Sequence, residues 1–232
     1  MERPDWYYID LKQVGLDFAD IAQVESYDER QADDPADDQA LLAQLGVGAS
    51  QVVADFGCGT GMLACEAAKL AGFVHAVDIS AEMLRATLAR AKAMRLANLT
   101  VRQAGFLSYQ IVDESLDLIT TKFALHHLPD LWKGVALARL HRSLKPGGRL
   151  FIRDVVFSCD PAEVPEVAEN WISWMGSNTG YSRAEVAQHI REEHSTYSWV
   201  MAGLIERAGF RIMHADYSQR IYADYLAEKV SA

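Results

Sequence analysis

The run Val52-Val53-Ala54-Asp55-Phe56-Gly57-Cys58-Gly59-Thr60-Gly61 constrains this chain more than any other stretch. An apolar strand pattern ends in three glycines at alternate positions, and a helical pattern, GMLACEAAKLAG, follows at once. Glycine has no Cβ and enters positive φ freely, so a strand–turn–helix unit of this kind lets backbone and a helix N-terminus approach a ligand closely. The spacing limits the ligand. A dinucleotide fingerprint reads G-x-G-x-x-G, whereas here the third glycine comes one residue early and Met62 stands where that fingerprint needs it. A pyrophosphate is therefore not the expected guest, which disfavours a nicotinamide oxidoreductase.

The same rhythm continues along the chain. FVHAVD, LTVRQ, LDLITT and GRLFIRDVVF read as strands, separated by the helical stretches SAEMLRATLARAKAMR and LWKGVALARLHRSL. Alternation of this sort predicts a doubly wound α/β fold, a parallel sheet with crossover helices. It stops after residue 157, where Pro161, Pro165 and two tryptophans interrupt it, so residues 158–198 read as an insertion. A helix, SWVMAGLIERAGF, then leads to RIMHADY and RIYADYL, too close together for a crossover and hence an antiparallel hairpin. At the other end, Leu11, Val14, Phe18 and Ile21 recur at helical spacing. Pro35 is expected to break that pattern before a short helix, DQALLAQL, capped by Asp37. The domain reading is an N-terminal helical extension over 1–40 and an α/β domain over 41–232 containing the insertion.

Charge excludes more than it assigns. Of the 32 acids, 12 fall in residues 1–40 against 3 bases, while the rest of the chain is close to neutral. No Lys/Arg block offers a face for phosphates, so no nucleic-acid partner is expected. Asp33, Asp34, Asp37 and Asp38 read as a solvated linker. No window approaches a membrane span, and the first residues, MERPDWYYIDLKQ, lack the basic start and apolar run of a secretion signal. Cys58, Cys65 and Cys159 form no C-x-x-C pair, which suits a reducing cytoplasm and gives no thiolate metal site.

With D-x-G-x-G-x-G at 55–61, an acid ending the second strand at Asp78, and FALHHLPD after the fourth, the sequence resembles the class I S-adenosylmethionine-dependent methyltransferases over residues 45–157 and 197–227. The resemblance implies a seven-stranded Rossmann-like sheet, six strands parallel and one antiparallel, with S-adenosyl-L-methionine as cofactor. It also implies that Asp55, Gly57, Gly59 and Gly61 face the amino acid end of the cofactor. Asp78, beside Ile79, would accept hydrogen bonds from the ribose hydroxyls, although an acid before SAEML could simply serve the helix start. The family often has an acid after strand three. Here that position is glycine, leaving Gly105 and Phe106 as adenine contacts, with a plain core role open for the Phe106 ring. Lys122 and Phe123 are expected at the cofactor.

The neighbouring His126 and His127 are open between a structural role, substrate contact or catalytic base, and metal ligation. Metal is set aside because adjacent side chains diverge and His189 and His194 do not share a helix face. The Asn/Asp-Pro-Pro-aromatic motif of nucleobase and glutamine-amide methylases is replaced by Thr121-Lys122-Phe123-Ala124, which disfavours that substrate class, and the expected acceptor is a small molecule. An RNA or protein methylase and a non-catalytic cofactor sensor are the alternatives. Both irregular segments are rich in Trp and Tyr, and they are expected to meet as a lid and substrate cap, with Tyr27 and Tyr197 lining the pocket above His126 or His127 and Asp154. The competing arrangement packs the extension behind the sheet and makes the insertion a homodimer interface.

Overall fold

The computed structural model describes residues 4–12, 24, 27–31, 34–110 and 112–230. The helix expected from Val14, Phe18 and Ile21 lies outside them, as does Asp33; Leu11 sits exposed in a turn. The described chain runs α1 (Tyr27–Gln31), α2 (Pro35–Gln44), β1 (Val52–Phe56), α3 (Met62–Ala68), β2 (Phe73–Asp78), α4 (Ala81–Ala93), β3 (Leu99–Gln103) and β4 (Leu116–Lys122). A 3-10 turn (Leu125–His127) leads to α5 (Asp130–Ser143) and β5 (Leu144–Phe157). The insertion follows as α6 (Val164–Asn178) and α7 (Arg183–Glu192), then β6 (Thr196–Tyr197), α8 (Ser198–Arg207), β7 (Phe210–Ser218) and β8 (Tyr222–Lys229).

The main sheet has the order β3-β2-β1-β4-β5-β8-β7. β1 to β5 pair in parallel, and β8 runs antiparallel to both β5 and β7. Seven strands with one reversed is the sheet the resemblance implies; the two-residue β6, paired to the end of β5, is the one addition. Strands covered on both faces have no need to alternate exposed and buried residues, and β1 is buried from Val53 to Phe56 and β4 from Leu118 to Thr121. α5 and α8 cover one face through Leu137, Leu140, Met201 and Ile205, and α2 to α4 cover the other through Leu42, Leu45, Ala64 and Leu84. A third cluster, with Trp171, Ile172, Tyr181 and Val186, seats the insertion on Val155, Phe157 and Ile221.

Two expectations near the N-terminus need correction. Pro35 does not stand ahead of the second helix but opens it, and the N-cap is not Asp37 but Asp34, whose carboxylate accepts the Ala36 N–H. Proline is tolerated there because the first turn has no use for its missing N–H. The helix therefore begins before residue 40 and carries Leu41 and Leu42 into the core. Nor is Asp38 solvated: it is 2% exposed and pairs with Lys122 Nζ at 2.7 Å. Among the described residues no helix is long and apolar enough to cross a membrane.

Candidate active site

β1 ends in the glycine turn, and the three glycines do different things. A Cβ on Gly57 would lie 2.2 Å from Ala124 Cβ, and one on Gly61 would lie 2.6 Å from the Thr87 side chain. These two are fixed by packing. Gly59, at φ +53°, would meet nothing closer than Tyr27 at 3.8 Å, so it forms an open cradle. Asp78, at the end of the neighbouring strand, accepts the Gly59 N–H at 2.9 Å and the Ser80 N–H at 2.8 Å. Burial raises its pKa, and those backbone donors pull it back. Ser80 in turn caps α4, so Asp78 serves the helix start and the glycine turn together.

A cavity of about 100 Å³ opens on this corner and is lined by Gly57, Gly59, Asp78, Ile79, Gly105, Phe106, Lys122, Phe123 and His127. Gly61 faces Thr87 instead, and Asp55 faces a smaller cleft shared with Asp38 and Lys122. Asp55 accepts a hydrogen bond from Thr120 Oγ1 at 2.8 Å, and burial pushes its pKa up to about 7. Phe106 is both lining and core, since its ring stacks on Phe56.

Sequence reasoning missed the acid at the third strand because it comes from another part of the chain. Asp10, in the N-terminal segment, is buried at the Gly105 turn and accepts the N–H groups of Leu107 and Ser108 at 2.6 and 3.0 Å. A Cβ at position 105 would fall 2.4 Å from its carboxylate, so glycine makes room for an acid that arrives from 95 residues upstream. Its only local signal is an acid beside Tyr7 and Tyr8.

A second cavity, of about 300 Å³, adjoins the first. Its walls are mostly aromatic and apolar, with Trp171, Trp174, Met175, Tyr181 and Tyr222 from the insertion and β8. Tyr27, Phe123 and His127 line both cavities. Phe123 holds φ at +52°, sparsely populated for a bulky residue, where β4 gives way to the 3-10 turn. Tyr197, expected in this wall, lines neither cavity; its ring stacks on Trp199.

His126, buried behind His127, contacts Asp154 through Nδ1, and its Nε2 lies 2.9 Å from Glu193 Oε2. Burial opposes charge on His126, but Asp154 and Glu193 outweigh it and bring its pKa up to about 9. Burial and the neighbouring His126 push His127 down to about 3, so it is neutral. Asp154 is fully buried and accepts the backbone N–H groups of His126 and Val155. The adjacent imidazoles do not diverge: in the 3-10 turn their centroids are 4.3 Å apart. The helix-face partner of His189 is Glu193, missed in the sequence because its relation to His126 is not local.

Residues 53–148 match the family described as a methyltransferase domain. Over 218 residues the chain is 28% identical to a protein of Geobacillus kaustophilus named as an uncharacterized methyltransferase, covering 90% of this chain and 96% of that one. Among solved structures it superposes on a SAM-dependent methyltransferase of Aquifex aeolicus with a TM-score of 0.64 at 20% identity, covering 91% and 99% of the two chains. A phosphoethanolamine N-methyltransferase of Haemonchus contortus, solved with S-adenosylhomocysteine, gives 0.64 at 18% identity over 84% of this chain and 53% of that one. Residues 53–148 are thus a methyltransferase domain, and the fold is that of SAM-dependent methyltransferases of known structure.

Proposed function

We propose that the smaller cavity holds S-adenosylmethionine and the larger one a small, mainly apolar acceptor. The observation that carries this reading is the wall of Tyr27, Phe123 and His127 common to both cavities, where donor and acceptor would meet. The residues suit the cofactor. Gly59 leaves the backbone open, the Asp78 oxygens can accept from a vicinal diol beside the backbone N–H groups they hold, and Phe106 offers a ring beside the base. Asp10 supplies the carboxylate that position 105 lacks. Asp55 and Lys122 act from the cleft behind Gly57 and Gly59.

When bound, the cofactor supplies a methyl group already activated on a sulfonium. The chain has then to align the nucleophile, keep water out and manage one proton at most. Tyr27 and Phe123 present aromatic faces, which suit a cationic centre. His127 adds a neutral imidazole to the shared wall, and His126, held by Asp154, packs against it. The aromatic walls favour a small molecule over RNA or a polypeptide, and the enclosure leaves no role for a membrane. We place this chemistry in the cytoplasm, where free Cys58, Cys65 and Cys159 are stable.

Mass spectrometry of S-adenosylhomocysteine formation tests the reading, using the full chain with a panel of small apolar metabolites, and RNA and peptide pools in parallel. Turnover with members of the first set alone is expected. Turnover confined to the pools would overturn the acceptor class, and retention of S-adenosylmethionine without turnover in any arm would make the chain a sensor.

A further inference from the structure

Imidazole nitrogens and a carboxylate oxygen converge in the wall of the larger cavity. Glu193 Oε2 lies 2.9 Å from His126 Nε2, 3.6 Å from His127 Nδ1 and 2.7 Å from His189 Nδ1. Those are hydrogen-bond separations for two of the three, yet the angles are not those of hydrogen bonds. Among the described residues Glu193 Oε2 and His127 Nδ1 are both buried without a hydrogen-bond partner. A cation held among them would give both atoms a partner. The ligand atoms of His126, His127 and Glu193 all fit within 4.8 Å. A tetrahedral site with bonds of about 2.0–2.1 Å has donor–donor edges of about 3.3 Å. The observed 2.9 and 3.6 Å separations bracket that edge.

The surroundings complete the pattern. Metal-binding histidines commonly engage a carboxylate, hydroxyl or carbonyl through the other ring nitrogen, which fixes the ring and the tautomer. Asp154 does this for His126, and Asp154 is itself held by the N–H groups of His126 and Val155. His189 Nε2 meets Ser195 Oγ at 3.1 Å. Backbone ties fix the relative position of the two contributing segments, since the His194 N–H donates to the His126 carbonyl at 2.8 Å.

We propose that His126 Nε2, His127 Nδ1 and Glu193 Oε2 bind a divalent transition-metal ion of the zinc class, with His189 at the edge of the site and an open coordination position facing the acceptor cavity. Two imidazoles and one carboxylate suit zinc or ferrous iron over magnesium or calcium. The site does not depend on which acceptor the enzyme uses.

The test uses tag-free full-length protein, analysed for bound metal as purified, stripped with a chelator, and titrated with Co²⁺ while visible absorption is recorded. Ligand-field bands saturating at about one ion per chain, displaced by Zn²⁺, are expected. Glu193→Gln and His127→Ala should each weaken Co²⁺ binding by roughly tenfold or more, while His141→Ala, remote from the cluster, leaves it unchanged. Retained binding of S-adenosylhomocysteine shows that each variant is folded, and His189→Ala, at the margin of the site, serves if either ligand variant is not. Absence of both purified metal and Co²⁺ bands, or bands that persist at full affinity in the ligand variants, would reduce the cluster to a hydrogen-bonded network and overturn the proposal.

Discussion

At Asp55 a carboxyl group sits where burial holds its pKa at about 7, well above the 3.8 of an ordinary aspartate. The unfolded chain loses this proton near 3.8, whereas the folded chain keeps it to about 7. Folding is therefore favoured by protonation, and the contribution to stability is lost as pH rises through that window. Asp55→Asn keeps an acceptor for Thr120 Oγ1 without the charge. It should flatten the pH–stability profile between about pH 4 and 7, and stabilise the cofactor-free protein at pH 8 by on the order of 2–4 kcal/mol. Urea denaturation of parent and variant at several pH values checks this; parallel profiles would mean that Asp55 is ionised in the fold. Asp78 is different, because both its oxygens already hold backbone N–H groups. Asp78→Ala should weaken S-adenosylhomocysteine binding, and it should also cost about 1–3 kcal/mol of stability by orphaning those donors. Calorimetry and thermal melting separate the two effects, and a variant that bound normally would remove Asp78 from the cofactor site.

The glycine turn shows what a sequence motif does and does not carry. D-x-G-x-G-x-G is legible because strand, turn and helix follow one another locally, and the alternation around it is legible because short β-rich runs such as β1 and β4 alternate with helical stretches. The motif does not say which glycine faces the ligand. Gly57 and Gly61 face Ala124 and Thr87, residues of other elements, so only the assembled fold separates them from Gly59. Asp10 at Gly105, Asp38 at Lys122 and Glu193 at His126 escaped sequence reading for the same reason. Each joins elements far apart in the chain, and neither periodicity nor spacing encodes such a meeting. The separation is testable. Gly57→Ala should destabilise by several kcal/mol, since its Cβ would overlap another Cβ in a packed interior. Gly59→Ala has room and should cost only about 1–2 kcal/mol for its left-handed backbone, while reducing cofactor affinity far more than its stability. Melting and calorimetry on the two variants should give opposite rank orders for stability loss at Gly57 and affinity loss per unit of stability at Gly59; equal behaviour would mean that both glycines are structural.

At the scale of the whole molecule, α1 ties the glycine-turn corner to the insertion. Asp28 contacts Thr60 Oγ1 at 2.5 Å and pairs with Arg90, which anchors one end of the short helix to the glycine turn and α4. At its other end, Arg30 reaches Glu185 at 2.5 Å, lies 4.4 Å over the Tyr181 ring, and its carbonyl accepts the Gly180 N–H. Between these anchors Tyr27 lines both cavities. We propose that α1 and the insertion close together as a lid, excluding water from the displacement. The Arg30 contacts are the coupling. A partly exposed ion pair is worth up to about 1 kcal/mol and a cation–π contact about 0.5–1, so Arg30→Ala removes about 1–2 kcal/mol. That corresponds to roughly a tenfold loss in S-adenosylhomocysteine affinity if closure and binding are linked. Limited proteolysis reads the linkage directly: in the parent protein the cofactor product should protect cleavage sites near α1 and in the insertion together. In Arg30→Ala the two segments should be protected to different extents. Protection that is equal in both proteins, with unchanged affinity, would show that the contacts between α1 and the insertion are packing alone and that closure, if any, uses another hinge.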